Sequence, residues 1–485
     1  MVRPQLDGGS RTKLPPGPSG IPVIGRQIAF VRDPLGFLTR AHRDYGDMVS
    51  LPLNGRTVVA AFGPDQVDAA TDAYGKQVDI SMVGGLNISI GKDNLQGRGP
   101  LNTTGTEHAT YRRVALRALG GEATTSHAAI TTELTERLLD SWQVGTEIDL
   151  LPAIGALTRR LFKYHMFGSD IHETDPELDA MVDTYTSVLD STVGRVGATL
   201  IRRDVPGLSL GGTVRRHLSV IDARMAAIAD GSVRPPRYSL AESMLREMDA
   251  AGLGRDPALA REMTLQMHFA GLTSVASTIV WTLLLLALHP PQARNLLDEL
   301  EKTLGGKVPE RQDTVQLPVL NMVLDESMRL YPGSAYEYKK MEDELVLDGY
   351  RLPRNVQLLL APWVTQRSPS SFDDPESFRP ERFAGSHQPI RKGAFSPWGV
   401  GNRSCIGKVL ARTVIRTVVG GITQRYRLDL VPNQRIEPHP GRFGIRLLPR
   451  PGVRVRIERQ DGETERSAVP VAGTIVGGIP GPAGV

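Results

Sequence analysis

A single cysteine in 485 residues excludes an internal disulfide, and nothing points to an oxidising compartment. That lone thiol, Cys405, must be a core residue, a nucleophile or a metal ligand. Charge of one sign is equally scarce. The 57 lysines and arginines against 53 aspartates and glutamates leave +4, too little over this length to suggest a nucleic-acid partner. The opening MVRPQLDGGSRTKLPPGPSGIPVIG lacks the apolar stretch of roughly 7 to 15 residues that a signal peptide carries, and the roughly 20 that a membrane anchor needs. The most apolar run, Ile279 to Leu288, is short and continues a helical pattern, so it reads as a buried core helix. These absences predict a soluble, cytoplasmic protein without a membrane anchor.

What is present is the composition of an ordinary globular protein, 40% hydrophobic and 23% charged, with no strong linker dividing its body. Residues 1–14 are expected to be a flexible N-terminus, 15–457 one folded domain, and 458–485 a disordered tail. The cluster Pro15, Pro16, Gly17, Pro18 predicts a rigid extended entry, followed by a helix over Asp33 to Tyr45. Met48 to Leu53 and Arg56 to Phe62 read as strands turned through Asn54-Gly55, with Pro52 confining the first to an edge. From about Gly105 to Leu330 the pattern is mostly helical. Short strands return at Leu345 to Leu352, Val356 to Ala361 and Arg442 to Ile457. The fold class is therefore mainly α with small β-sheets, an α+β arrangement.

The segment Phe395-Ser-Pro-Trp-Gly-Val-Gly-Asn-Arg-Ser-Cys405-Ile-Gly407 surrounds the cysteine with glycines just before the helical run Lys408 to Val419. A thiolate bound to iron needs nearby backbone N–H groups to moderate its charge, and a glycine-rich turn at a helix start supplies them without side-chain obstruction. The bland alternative is a small buried apolar residue at a helix start. Phe395, Gly399, Gly401, Arg403, Cys405 and Gly407, with Ala411 beyond them, resemble position by position the haem-binding loop of the cytochrome P450 family.

Four further motifs stand in the order that this resemblance implies. Glu326 and Arg329 share a helix face in LNMVLDESMRLYP, and Arg382 lies in FRPERF; together they resemble the family's buried charged triad, structural in role. His108 and Arg112, one turn apart in HATYR, are spaced like its pair that contacts haem propionates, and Lys339 in EYKKMED stands near the place of a further propionate-binding arginine. Ala270-Gly271-Leu272-Thr273-Ser274, inside the long apolar stretch Glu262 to Leu288, falls where the family has small-Gly-any-acid-Thr. Small residues at 270 and 271 would let the helix pass close to the iron, and the Ser274 hydroxyl can bond the Ala270 carbonyl. Thr273 replaces the usual acid and Ser274 the usual threonine, so proton delivery needs another route. His268 reads as a core histidine. Met82 to Pro100 and Gly333 to Tyr338 resemble positions where relatives contact substrate.

The resemblance implies haem b between the long central helix and the helix after the cysteine loop, with Cys405 as metal ligand. His108, Arg112, Arg403, Phe395, Gly399, Lys339, Ala270 and Gly271 would line the cofactor, and Ser274 and Thr273 would be the catalytic pair. It implies O2 activation, a lipophilic small-molecule substrate such as a terpenoid or polyketide of secondary metabolism, and electrons from a ferredoxin and ferredoxin reductase. Arg112, Arg113, Arg403, Lys408 and Arg412 would form the docking face. Three alternatives remain open at this point: a non-oxygenating haem-thiolate sensor or gas binder, an atypical member catalysing coupling or rearrangement, and a hydrolase using Cys405 as nucleophile.

Overall fold

In the computed structural model the described residues are 14–19, 26–53, 56–74, 78–79, 89–90, 93–94, 97–168, 176, 180, 210–235, 238–341, 343–385, 390–439, 447–463, 470–475 and 479–480. The proline-rich entry runs extended, and Ser50 N donates to Pro16 O at 2.8 Å, which lays it along the first strand. Met48–Leu53 pairs antiparallel with Arg56–Ala61, Leu53 opposite Arg56. That is the register a two-residue turn sets; Asn54 and Gly55 themselves lie outside the described residues. Pro52 sits on the outermost strand of a five-stranded sheet, where a missing N–H is tolerated. The sheet continues through Arg56–Ala61, Gln357–Leu360, Glu337–Met341 and Val78–Asp79. Gln357–Leu360 runs parallel to Arg56–Ala61, so the chain completes most of the helical body before it returns.

That body contains helices Gly105–Ala118, Glu122–Ser141, Leu150–Phe167, Leu210–Ala229, Leu240–Ala250, Pro257–Leu288, Pro290–Leu304, Pro318–Leu330 and Lys408–Arg425. Their ends follow local chemistry. The Asp256 carboxylate accepts from Ala258 N and Leu259 N ahead of Pro257, and Gly168 and Gly305 close two helices at φ 64° and 57°. Both oxygens of Glu299 accept from the first free N–H groups of Pro318–Leu330, at Val319 (2.7 Å) and Leu320 (2.9 Å).

Pro257–Leu288 is the axis of the core. It is long and apolar enough to cross a bilayer, yet 72% of its most apolar window is buried in the protein. Ile279, Val280, Trp281, Leu284 and Leu285 are wholly enclosed, and each such side chain contributes about 1.5–3 kcal/mol of burial. Trp281 stacks on Tyr331 with ring centroids 3.9 Å apart, and its Nε1 donates to Leu447 O at 2.9 Å.

The C-terminal expectation needs correction. The residues after 457 do not all run free: Pro470–Gly473 pairs in parallel with Arg435–Ile436 and with Ile479–Pro480. Val471 and Ile475 are buried at 2% and 6% exposure in the main core. Two apolar side chains and a borrowed sheet edge anchor a segment whose composition, averaged over the tail, reads as unstructured.

Candidate active site

Cys405 stands at the end of a loop that two glycines help to close. Gly399 and Gly401 adopt φ 67° and 64°, left-handed values that cost most residues energy, and Cys405 N donates to Trp398 O at 2.7 Å. The loop thus folds back before Lys408–Arg425 begins, and it presents the thiol to a cavity while protein encloses most of its other sides. Burial raises the thiol pKa; the Gly407 N–H and the Arg112 and Lys408 charges act against that rise. The loop is therefore built to moderate negative charge on sulfur.

The cavity has a volume of about 300 Å³, at the lower end of the roughly 300–1,000 Å³ of an ordinary small-molecule site. Its walls come from the cysteine loop, the start of Lys408–Arg425, the middle of Pro257–Leu288 and residues 333–337. His108, Arg112 and Arg403 converge on the cysteine side. Arg112 donates to Ser404 O (2.8 Å) and Ser404 Oγ (3.1 Å), and Arg403 donates to Pro100 O (2.8 Å) and Thr103 O (2.7 Å). Burial, then Arg403 and Arg112, lowers the His108 pKa to about 4. Two guanidiniums and an imidazole beside a thiol that faces the cavity form a cradle for a group carrying both carboxylates and a metal, and this donor set fits a haem.

On the long helix, Ser274 Oγ donates to Ala270 O at 3.1 Å, the bond expected from the sequence. Ala270, Gly271 and Ser274 line the cavity, whereas Thr273 is not among its described lining residues, being turned about 100° from Ser274. Gly271 also meets a neighbouring helix. A Cβ there would lie 2.8 Å from Phe162 Cζ, so the absent side chain makes room for that ring as well as for a ligand. Phe395 is not a wall residue either; its ring packs against Phe383 at 4.8 Å, behind the loop. Lys339 is likewise outside the described wall, buried with Nζ 2.6 Å from Glu337 Oε2, and Glu337 is the residue that lines the cavity. Most of the region Met82 to Pro100 lies outside the described residues.

The charged triad is assembled behind this chamber. Glu326 accepts from Arg329 Nε (2.7 Å) and Nη2 (2.9 Å), from Arg382 Nε (3.0 Å) and from Arg379 N (2.9 Å). Arg329 also donates to the carbonyls of Gln366, Pro375 and Ser377. Glu326 and Arg329 are fully buried, so every donor and acceptor of the pair has to be satisfied within the protein.

Several wall residues escape sequence reading. Trp398 replaces Phe395 as the loop aromatic on the cavity, with a buried Nε1 that has no hydrogen-bond partner in the described structure. His127 and His165 also line the cavity, their rings 3.9 Å apart, and neither ring nitrogen of His127 has a hydrogen-bond partner among the described residues. His268 reaches the same wall, edge-on to Phe162 at 5.3 Å. The one available signal was a histidine on an apolar helix face, which is weak.

The comparisons with known proteins agree with this geometry. The Cytochrome P450 family model matches residues 15–455. Cyclooctat-9-en-7-ol 5-monooxygenase of Streptomyces melanosporofaciens is 28% identical over 86% of this chain and 89% of its own length. Pentalenene oxygenase of Streptomyces avermitilis is 24% identical, covering 89% and 97%. Among solved structures, the retinoic acid bound cyanobacterial CYP120A1 superposes with a TM-score of 0.78 at 21% identity, over 92% of this chain and 99% of that one. A hydrolase built on Cys405 is thereby set aside, and the chain belongs to the cytochrome P450 family as one of its monooxygenases.

Proposed function

We propose that the protein binds haem b through Cys405 and oxygenates a lipophilic terpenoid of secondary metabolism, with electrons from a ferredoxin and its reductase, in the cytoplasm. The observation that carries this reading is the single thiol facing a mainly apolar chamber whose cysteine end is cationic. Arg112, Arg403 and His108 would hold the cofactor's carboxylates, and the Gly407 N–H would moderate the sulfur. When bound, haem supplies reductive activation of dioxygen and transfer of one oxygen atom to a C–H or C=C bond. The protein supplies the rest. Ser274 donates to the Ala270 carbonyl and places a hydroxyl on the wall, where it can hold a water and pass a proton. Terpenoid names among relatives, including ferruginol synthase of Salvia fruticosa, support the substrate class.

Electron delivery is read from the opposite face. Arg113, Arg117 and Lys408 are exposed there, flanked by the exposed apolar Leu116 and Val409, which suits a small acidic partner. Arg412 belongs to the structure instead, held by both oxygens of Asp325. The decisive experiment is the optical spectrum of reduced protein under carbon monoxide. A strongly red-shifted Soret band is expected, and Cys405→Ser should abolish it; a histidine-type spectrum in active protein overturns the reading.

A further inference from the structure

We infer that Glu337 selects the substrate: its carboxylate accepts a hydrogen bond from a hydroxyl or amino group on an otherwise apolar molecule and disfavours lipophilic carboxylates. This rests on reading the cavity as the chamber for haem and substrate. Glu337 is the one carboxylate among the cavity's described lining residues. It is 24% exposed, with Oε2 2.6 Å from Lys339 Nζ, itself only 5% exposed. Strand register fixes both. Glu337 lies opposite Leu360 and Lys339 opposite Leu358, so the two side chains, two residues apart, share one face of the sheet.

The chain leading to Glu337 lies against the oxygen-handling helix. A Cβ on Gly333 would sit 3.6 Å from Ser274 Cβ, and Gly333, Ser334 and Ser274 line the same cavity. Arg112, Arg403 and His108 line this cavity together with Cys405, and Glu337 is its described carboxylate, four residues along the chain from the Gly333 that meets Ser274. A carboxylate offers about four acceptor positions, and Lys339 approaches one of its two oxygens. Glu337 is part-exposed, so water can meet its remaining acceptor positions, and a donor on the ligand takes the place of that water on binding. A hydrogen bond to a charged group corresponds to about tenfold to a hundredfold in Kd.

The test uses the haem-loaded full chain and four matched terpenoids that differ in one group: hydrocarbon, primary alcohol, primary amine and carboxylic acid. Affinity is read from the substrate-induced Soret shift and, independently of the haem, from the ligand-induced rise in Tm. Wild type should bind alcohol and amine at least about tenfold more tightly than the hydrocarbon, with the acid weakest. Glu337→Gln should keep alcohol binding, lose the amine preference and admit the acid. Equal affinities across the panel in wild type overturn the inference, and this arm stands even if the variant does not fold. So do unchanged ratios in Glu337→Gln, including the case where that variant merely loses haem, which would assign Glu337 to the cofactor's carboxylates. Failure of the underlying reading is separate: wild type would lack the red-shifted carbon monoxide band before any ligand is added.

Discussion

At the scale of single residues, the departure at 273 and 274 is the feature most open to measurement. Ser274 holds the Ala270 carbonyl and faces the chamber, while Thr273 points elsewhere, so the two hydroxyls are not equivalent. Ser274→Ala should raise the share of reducing equivalents lost as hydrogen peroxide, measured against product formed. Thr273→Asp restores an ionisable group where the family has one and should speed proton-dependent turnover. A positioned proton-transfer group is worth about 10²- to 10⁴-fold, so the gain should be visible wherever proton delivery limits the rate. Equal coupling in wild type and Ser274→Ala would show that ordered water or the substrate does this without the serine.

At the scale of elements, two contacts decide how the walls stand. Glu326 joins Pro318–Leu330 to the segment around Arg379 and Arg382, and Glu326→Gln leaves Arg329 buried without its counter-charge. A loss of about 3–5 kcal/mol is expected, read as lowered Tm and loss of haem during purification. Gly271 seats Phe162 from Leu150–Phe167, so Gly271→Ala should destabilise by about 1–3 kcal/mol in urea unfolding, with Phe162→Leu recovering part of it. The triad, the hairpin and the Ser274 bond were legible in sequence because each depends on short spacing and local geometry. Glu337, His127, His165 and Trp398 were not, since their roles arise only where distant segments meet at one cavity. Phe395 was misassigned for the same reason: a loop's sequence does not say which of two nearby aromatics turns inward.

At the scale of the whole molecule, buried charge chemistry sets the acid limit. Burial holds the His127 pKa at about 3 and that of His165 well below its usual 6.5, so both are neutral when folded and accept protons more readily when unfolded. Stability is therefore complete above about pH 6.5 and falls as pH drops towards those folded values, by about 1.4 kcal/mol per unit for each histidine. His127→Phe should flatten the acid limb of Tm against pH and raise Tm at neutral pH, since unpartnered buried nitrogens are removed. Across the opposite face, charge reversal at Arg113 and Lys408 should slow reduction by an acidic ferredoxin and weaken its salt dependence, measured by stopped flow. The strand Pro470–Gly473 carries a consequence of another kind. Because Val471 and Ile475 sit in the same core as Ile436 and Leu447, the far end of the chain acts as a clasp on the body. Trimming the chain after Glu463 would open that clasp, and a fused reductase domain is better joined beyond Pro480 through a flexible spacer than grafted onto the apparent end of the catalytic body.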